Sequence, residues 1–488
     1  MSAPLPLAIG SPQQFTALRE AFVAAQFTEP GVCWRMNLKN ISDFPLDGKL
    51  PDGVTPSDTL GALIWLLMYG ATLDPSTATA LPVSELRALG LVRDQPAAGL
   101  IATVMLYPLR GLWVASDRPD AAGDPESGHF GDFVYPAIVA NTSQFLDLLP
   151  FDACDAYLEV CAGAGAAALL AARAGARHVW AYDITERATS FAAFNAALNG
   201  IPQITAACGD LYQPAGDLTF DRIVAHPPYM PVFREEYVFN SGGLDGEQVV
   251  RGLIEGLLQH LRPGGRFHAL TLGSDREQPF EQRVRQWLGD ARDEFDVALV
   301  TRRHRTPEDY TTEVVLRKGG SIDDLRTWRQ QLRQRGVRRF AYGFLTVQRR
   351  DHSRPVFTVR RHAGPQTGAL EHASLLEWET SLATDGAEHL LSRRVRTRAN
   401  VKLRTEFHVA PQGWEPDSYA LQTDYPFDTE MQAQAWTAHL LASADGSATA
   451  AELLEKLKAV GSLSAATPPP EYARFLALLV SGGFLEVL

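Results

Sequence analysis

LEVCAGAGAAAL, residues 158–169, joins a short apolar strand to an alanine-rich helix through a glycine turn. The strand pattern ends at Cys161, and Gly163 and Gly165 let the backbone turn and approach a ligand without a Cβ in the way. The helix that follows begins with free N–H groups, which favour a carboxylate or another polar group. This pattern alone is a weak indication of a ligand site.

Strand and helix patterns alternate around and after this turn. The predicted strands are AYLEVC (156–161), HVWAYDI (178–184), ITAACGD (204–210), DRIVAHPPY (221–229) and RFHALTLG (266–273), and helices are predicted over 166–175, 186–200 and 247–265. Such alternation predicts an α/β fold with a mainly parallel, doubly wound sheet. A sheet of this kind binds its ligand at the carboxyl ends of its strands.

Two carboxylates stand where such a ligand would bind. Asp183 closes the second predicted strand and is placed to accept both hydroxyls of a ribose. Asp210 ends the third strand, where, with Leu211 beside it, it could recognise the exocyclic amine of adenine. The turn lacks the G-x-G-x-x-G of a nicotinamide site, because Cys161 and Ala168 replace glycines. The combination predicts a nucleoside pocket, and the alternative is that both carboxylates only cap loops.

The motif His226-Pro227-Pro228-Tyr229, at the end of the fourth predicted strand, carries a family resemblance. The sequence resembles class I methyltransferases with an N-P-P-Y/F motif, such as release-factor glutamine, ribosomal RNA guanine and adenine methyltransferases. The resemblance covers about 155–275 and includes EVCAGAG (159–165), NAALNG (195–200), GDLY (209–212), SGGLDGEQ (241–248) and LRPGG (261–265). It implies a Rossmann-like core with a seven-stranded sheet and S-adenosyl-L-methionine as the cofactor.

The resemblance also implies roles for individual residues. The cofactor would bind Glu159, Cys161, Gly163, Gly165, Asp183, Ile184, Asp210 and Leu211, and the catalytic residues would be His226, Pro227, Pro228 and Tyr229. In that family the motif's Asn and the proline backbone carbonyl accept hydrogens from a planar nitrogen, on which the aromatic ring stacks. Tyr229 and the carbonyl of Pro227 retain these functions, whereas His226 replaces the Asn.

The replacement by His226 leaves two roles open. A histidine near neutral pKa could act as a general base for a hydroxyl, amine or carboxyl nucleophile. Alternatively, it fills the Asn position without proton transfer. Because a site built to hydrogen-bond an N–H group discriminates strongly, the change weakens the inference to amide or nucleobase substrates. Upstream, Tyr135 and Thr142 are candidate substrate residues, with a structural role as the alternative.

Four segments are predicted along the chain. They are a helical, winged-helix-like domain over 1–125, the methyltransferase domain over 126–320, a basic mixed α/β segment over 321–425, and a winged-helix-like domain over 426–488. Helical pieces followed by short extended pieces at both ends favour winged-helix-like modules. In the basic segment, GFLTVQRR (343–350) and PVFTVRR (355–361) are predicted to form paired strands. The flanks are also similar to a multidomain subgroup of the family with accessory domains at both ends.

Charge is distributed unevenly along the chain. Residues 301–405 contain 22 Lys and Arg against 11 Asp and Glu, whereas the whole chain has a net charge of −12. Arginine-dense pieces include TRRHR (301–305), RQRGVRRF (333–340), QRRDHSRPVFTVRRH (348–362) and SRRVRTR (392–398). This basic block could contact phosphates or an acidic protein. The alternative is that it pairs with acidic residues of the same chain.

Composition indicates a globular protein. Apolar residues make up 45% and charged residues 21%, and no apolar run is long enough to span a membrane. The first residues lack the order of a signal peptide, so a cytoplasmic protein without membrane contact is expected. The four cysteines show no C-x-x-C pair, and the histidines show no ligand spacing, so neither disulfides nor a metal site is predicted.

Three functions follow as hypotheses. The first is methyl transfer to a nitrogen or oxygen of a peptide, protein or other macromolecule. The second is a small-molecule, natural-product methyltransferase with His226 as the base. The third is a non-catalytic protein that binds the cofactor and recruits a partner. The methyl acceptor itself, whether peptide, small molecule or nucleic acid, does not follow from the sequence.

Overall fold

The amino-terminal region combines short helices with two hairpins. The computed structural model describes residues 5–50, 56–74, 76–95, 99–119, 131–231, 241–318 and 321–488. Its first elements are α1 (Pro12–Ala24), α2 (Glu29–Met36), α3 (Thr59–Leu63), α4 (Val83–Ala88), β1 (Val92–Gln95), β2 (Gly99–Ala102), β3 (Met105–Leu109) and β4 (Leu112–Ser116). Strand β1 pairs with β2 and β3 with β4, both antiparallel. The short extended pieces predicted after the helices therefore form two hairpins.

A sheet of eight strands forms the centre of the protein. Its strands are β5 (Ala156–Val160), β6 (His178–Asp183), β7 (Ile204–Cys208), β8 (Phe220–Ala225), β9 (Leu261–Asp275), β10 (Phe295–Arg305), β11 (Arg339–Arg349) and β12 (Thr358–His362). The order is β12-β10-β11-β9-β8-β5-β6-β7, and only β11 runs antiparallel to its neighbours. The carboxyl ends of the other seven strands therefore share one edge of the sheet.

Helices cover both faces of this sheet. They are α5 (Ala140–Leu148), α6 (Ala166–Arg173), α7 (Glu186–Leu198), α8 (Gln248–Glu255), α9 (Leu257–His260), α10 (Phe280–Trp287), α11 (Pro307–Lys318), α12 (Ile322–Gln334) and α13 (Ala369–Asp385). Buried side chains of α6 and α7 join the amino-terminal helices in one apolar cluster, whereas α8, α9 and α10 belong to a second cluster. Two covered faces explain why every residue of the central strand β5 is buried. The prediction of a Rossmann-like α/β core is confirmed.

The carboxyl half of the sheet corrects the sequence-based domain boundaries. The sheet has eight strands where seven were predicted, and it continues beyond residue 320 through β11 and β12. The two strands predicted to pair with each other do not, because β10 lies between them. The boundary at 320 is therefore wrong for the sheet. The predicted boundary at 125/126 lies outside the described residues.

The hairpin of β3 and β4 is attached to helix α7 by two asparagine side chains. The amide of Asn195 both donates to the carbonyl of Ala115 (3.0 Å) and accepts from its N–H (2.8 Å). Asn199 repeats the arrangement with Trp113 at 2.7 and 2.9 Å. A side-chain amide carries one acceptor and two donors, so it can replace a backbone neighbour along the edge of β4.

The carboxyl-terminal region contains two small sheets and three helices in the described residues. Its elements are β13 (Arg394–Thr397), β14 (Lys402–Ala410), β15 (Gly413–Thr423), β16 (Thr429–Ala433), α14 (Ala435–Ser443), β17 (Asp445–Thr449), α15 (Ala450–Ala459), α16 (Pro469–Ser481) and β18 (Leu485–Val487). One sheet has the order β17-β13-β18 and the other β14-β15-β16. Because β13 pairs with strands after residue 426, the predicted boundary at 425 is wrong. That this region and residues 1–125 are winged-helix-like stays a prediction.

Much of the basic block is neutralised within the chain. Arg360 pairs with Asp275 and Glu281, and Arg354 pairs with Asp296 in a buried contact of 2.5 Å. Further pairs join Arg339 to Asp275, Arg349 to Glu294, Arg361 to Glu379 and Arg396 to Glu486. These contacts agree with the alternative that the block pairs with acidic residues of the same chain. No helix in the described residues is long and apolar enough to cross a membrane.

Candidate active site

The glycine turn lies between β5 and α6 and has an unusual backbone. Cys161, Gly163 and Gly165 all have left-handed φ angles, of 57°, 52° and 76°. A Cβ on Gly163 would meet no atom within 4 Å, so this side of the turn is open to a ligand. A Cβ on Gly165 would lie 3.0 Å from the Cβ of Ala192, because α6 and α7 pack closely there. The two glycines therefore serve different purposes, one facing open space and one permitting close packing.

Glu159 anchors the turn from beneath. It is buried, at 4% exposure, and its carboxylate accepts the N–H groups of Ala168 at 2.7 Å and Ala167 at 3.3 Å. These are free amides of the first turn of α6. Burial raises the pKa of Glu159 to about 8, although both amides favour the ionised form. The contact that the structure shows is with α6, and a contact of Glu159 with the cofactor stays a prediction.

Asp183, at the end of β6, faces the glycine turn. Its Oδ2 accepts the N–H of Gly163 at 2.9 Å, and its Oδ1 accepts the N–H of Thr185 at 3.1 Å. Burial raises the pKa of this carboxyl group above its ordinary value. A carboxylate has about four lone-pair sites, so acceptor capacity remains for ligand hydroxyls. The next residue, Ile184, is 54% exposed.

Asp210 and Leu211 follow β7, the neighbouring strand. Asp183 is level with Cys208 in the β6–β7 pairing, so Asp210 lies two residues beyond it at the same edge. Asp210 is exposed, whereas the side chain of Leu211 packs in the core beside α8. Leu211 also has a left-handed φ of 47°. Of Asp210 and Leu211, Asp210 is therefore the more accessible to a ligand.

The HPPY motif, residues 226–229, follows β8 on the other side of β5. The His226 ring stacks on Phe145 of α5, with centroids 5.1 Å apart, and lies 5.9 Å from the Tyr229 ring. Its Nε2 is buried and makes no hydrogen bond within the described residues. Burial lowers the pKa of His226 to about 4. The imidazole is therefore neutral at physiological pH and a weak base.

Two residues that sequence patterns did not indicate complete the surroundings of Tyr229. Asn141 of α5 donates to the Tyr229 hydroxyl at 3.1 Å. The ring of Tyr342, in β11, lies 5.6 Å from the Tyr229 ring. Asn141 adjoins the candidate Thr142 and could have been found by position. Tyr342 is 113 residues further along the chain and has no local signal.

Tyr135 and Thr142, the two candidate substrate residues, lie upstream of the turn. Thr142 is partly exposed on α5, three residues before Phe145. Tyr135 precedes α5, is 43% exposed, and has its ring 5.9 Å from that of Phe133. Their roles toward a substrate stay predictions. Among the described ranges, no group of three or more His, Cys, Asp or Glu side chains is arranged to hold a metal ion.

Strand register brings the motifs together at one edge. Val160 of β5 is level with Tyr182 of β6 and with Ala225 of β8. The glycine turn, Asp183 and the HPPY motif therefore begin at the same height on three adjacent strands. Comparison with known families is decisive here, because residues 129–294 match the model described as the methyltransferase small domain. This segment is a class I methyltransferase domain.

Similar proteins share this methyltransferase domain. The ribosomal protein uL3 glutamine methyltransferase of Bradyrhizobium diazoefficiens is 33% identical over 155 residues, 29% of this chain and 48% of that protein. The release factor glutamine methyltransferase of Moorella thermoacetica is 34% identical over 148 residues, 28% of this chain and 52% of that protein. The chain thus spans about half the length of each relative. The resemblance to class I methyltransferases of the N-P-P-Y type is confirmed.

A solved structure has a similar region. The ribosomal protein L11 methylase from Lactobacillus delbrueckii subsp. bulgaricus is 22% identical, with a TM-score of 0.25, over 40% of this chain and 71% of that chain.

Proposed function

We propose that this chain is an S-adenosyl-L-methionine-dependent methyltransferase whose acceptor is a nitrogen of a peptide or protein. The relatives that share the methyltransferase domain are named for glutamine methylation of a ribosomal protein and a release factor, which supports this acceptor class. The observation that carries the proposal is the position of the HPPY motif at the end of β8, level with the glycine turn.

The residues at this edge fit the cofactor. Gly163 leaves open space beside the backbone, and Asp183 retains acceptor sites for ribose hydroxyls. Asp210 offers an exposed carboxylate for an adenine amine. When bound, S-adenosyl-L-methionine supplies a methyl group on a sulfonium, already a good electrophile, so the protein mainly holds the acceptor in line.

His226 acts in this proposal as a hydrogen-bond acceptor and not as a base. A neutral imidazole with its lone pair on Nε2 accepts an N–H as the family's Asn oxygen does. Nε2 is buried without a partner in the described residues, and such an atom costs about 1–3 kcal/mol until a donor binds. A substrate N–H would remove this cost. With a pKa of about 4, the ring is poorly matched to proton abstraction at neutral pH.

Tyr229 provides the planar surface on which the acceptor group stacks. The hydrogen bond from Asn141 and the neighbouring Tyr342 ring hold its own ring in place from two sides. Aromatic contacts of this kind are worth about 0.5–1.5 kcal/mol beyond the area that they bury. Asn141 and Tyr342 are therefore positioning residues for Tyr229.

The test is methyl transfer from radiolabelled S-adenosyl-L-methionine into host-cell extract, separated into protein, nucleic-acid and small-molecule fractions. We expect label in the protein fraction with the wild-type chain and strong loss with Tyr229→Ala. His178→Ala is the matched control for His226→Ala, because His178 is exposed at the start of β6, the opposite edge of the sheet. The control should label protein as the wild type does.

Two outcomes would contradict the proposal. Label confined to small molecules or nucleic acid would reject the acceptor class. Cofactor binding by calorimetry, together with protein labelling that Tyr229→Ala and His226→Ala leave unchanged, would reject the site.

A further inference from the structure

One arginine-dense piece of the chain is not neutralised as the others are. TRRHR, residues 301–305, ends β10, and Arg303 is exposed and forms no ion pair among the described residues. Arg302 donates only to the backbone carbonyl of Thr367, at 3.5 Å. Arg305 alone pairs, with Glu313 of α11. Most arginines of β11 and β12, by contrast, contact carboxylates of the chain.

These arginines line an open concavity of about 840 Å³ at the carboxyl ends of β10 and β12. His304 and His362 form part of its wall, with rings stacked at 5.4 Å. The exposed Leu316 of α11 lies on another side. The concavity thus combines two unpaired guanidinium groups with an apolar contact.

Arginines act on two titratable side chains at this concavity. The pKa of His304 is lowered to about 4 by desolvation and then by the positive charges of Arg339, His362 and Arg360. Arg302 and Arg303 also act on the Tyr342 hydroxyl, where they favour the ionised form against the larger effect of burial. His304 is therefore neutral, and the arginines carry the charge.

Strand register gives the distance from this concavity to the HPPY motif. Arg303 of β10 is directly opposite Tyr342 of β11, which is opposite Leu272 of β9. Leu272 lies three residues beyond Ala269, the residue opposite Ala225 at the end of β8. Three strand spacings of about 4.8 Å put Arg303 roughly 14 Å across the sheet from β8, the strand that the motif follows. An extended peptide covers that distance in about four residues.

We propose that the concavity at Arg302 and Arg303 binds a carboxylate side chain of the acceptor peptide, about four residues from the methylated residue. This inference rests on the proposed function and adds a specificity determinant to it. Guanidinium groups bind carboxylates through charge-assisted, often bidentate, hydrogen bonds. The acceptor residue lies at Tyr229 while the acidic residue is held across β9 and β11.

The charges around the concavity favour a compact anion over a nucleic acid. Asp309 and Glu313 of α11 also line it, and a continuous phosphate backbone would pass close to both. The whole chain has a net charge of −12, which repels a polyanion at long range. A single carboxylate carries one charge, so it meets less of this repulsion than a polyanion does.

The experiment measures binding of two fluorescein-labelled nonapeptides to the full chain by fluorescence anisotropy. Both have a central glutamine within glycines, and one carries glutamate four positions to each side where the other carries glutamine. We expect the acidic peptide to bind about tenfold more tightly or better, with an affinity that falls as salt is added. Arg303→Gln, and the double change with Arg302→Gln, should abolish the difference.

Arg474→Gln is the matched control, since Arg474 is an exposed arginine of α16 outside the concavity, and it should keep the difference. Equal binding of the two peptides to the wild type overturns the inference. So does a difference that Arg303→Gln leaves intact. Tighter binding of a single-stranded RNA oligonucleotide, lost in Arg303→Gln while the acidic peptide does not bind, also overturns it in favour of nucleic acid. Because no methyl transfer is measured, these outcomes are independent of whether the proposed function fails.

Discussion

At the scale of single residues, the proposed function assigns His226 the role of accepting a hydrogen bond from the methyl acceptor. Its pKa of about 4 lies below the ordinary histidine value, so its charge does not change between pH 5.5 and 8. We expect the rate of methyl transfer to protein to show no ionisation near pH 6.5 attributable to this ring. His226→Asn should retain most of the rate, because an amide oxygen replaces Nε2, whereas His226→Ala should lose about tenfold.

Rates of the wild type and both variants between pH 5 and 9 provide the measurement. An ionisation near pH 6.5 in the wild-type rate that disappears in His226→Asn would instead support His226 as a general base.

The lowered pKa of His226 also affects stability. As the pH falls, the unfolded chain binds a proton on this histidine before the folded chain does. Stability contributed by the neutral ring is therefore lost as pH falls from about 6.5 toward 4.

Glu159 has a raised pKa, so its contribution to stability is lost as the pH rises and not as it falls. Its pKa in the folded protein is about 8, above the ordinary value of 4.5, so the folded state binds the extra proton. Its contribution to stability is complete below pH 4.5 and is lost as pH rises through 8. Glu159→Gln keeps one oxygen, which can accept the shorter of the two hydrogen bonds, that from Ala168, and it removes the charge. We expect this variant to exceed the wild type in free energy of unfolding at pH 9 by about 2 kcal/mol.

Urea unfolding at pH 6 and pH 9 tests this, with Glu159→Ala for comparison. The alanine variant should lose about 1–3 kcal/mol at pH 6, because two buried amides lose their acceptor, and less at pH 9, where the buried charge is removed as well. The prediction would be contradicted if the wild type had the same free energy of unfolding at pH 6 and pH 9 and Glu159→Gln were less stable than the wild type at both.

At the scale of elements, Asn195 connects α7 to the amino-terminal hairpin. It is fully buried and also donates to the carbonyl of Ala164, just before Gly165. We expect Asn195→Ala to lower the free energy of unfolding by about 1–3 kcal/mol and to weaken cofactor binding through the turn. Gln203→Ala is the control, since Gln203 makes one partly buried hydrogen bond to Ala172. Chemical denaturation and calorimetry measure both effects, and equal results for the two variants would show that Asn195 is not the connection.

The elements that sequence patterns predicted well are those with local signals. Strands β5, β6 and β8, helices α6 and α7, and the turn between β5 and α6 were all located to within a few residues, because apolar periodicity and glycine positions mark them. Strand β10 was not predicted, and β11 and β12 were wrongly paired. Their arrangement depends on pairing between residues 35 to 61 positions apart, which periodicity does not encode.

The candidate site divides in the same way. Gly163, Asp183 and His226 lie at the carboxyl ends of three parallel strands, so their shared edge could be predicted from the alternation of strands and helices alone. Tyr342 reaches Tyr229 only because β11 inserts between β9 and β10. The contact between Tyr342 and Tyr229 thus follows from the order of the strands in the sheet. The sequence around Tyr342 contains no motif that would indicate it.

At the scale of the whole molecule, the catalytic fold depends on residues beyond the predicted domain end. Strand β11 lies between β9 and β10 and pairs with both of them. Its side chains Phe344, Leu345 and Val347 are buried in the core on the two faces of the sheet. Arg339, which begins β11, and Arg360 of β12 both contact Asp275 at the end of β9.

We therefore expect a chain ending at residue 320 not to fold, because β9 and β10 would present unpaired buried edges. A chain ending at residue 386 keeps the complete sheet and α13, so it should fold cooperatively and bind S-adenosyl-L-methionine. Soluble yield, thermal unfolding by circular dichroism and calorimetric cofactor binding distinguish the two. Cooperative unfolding of the 320-residue chain with cofactor affinity like the full chain would show that β11 is an addition to the fold and not part of it.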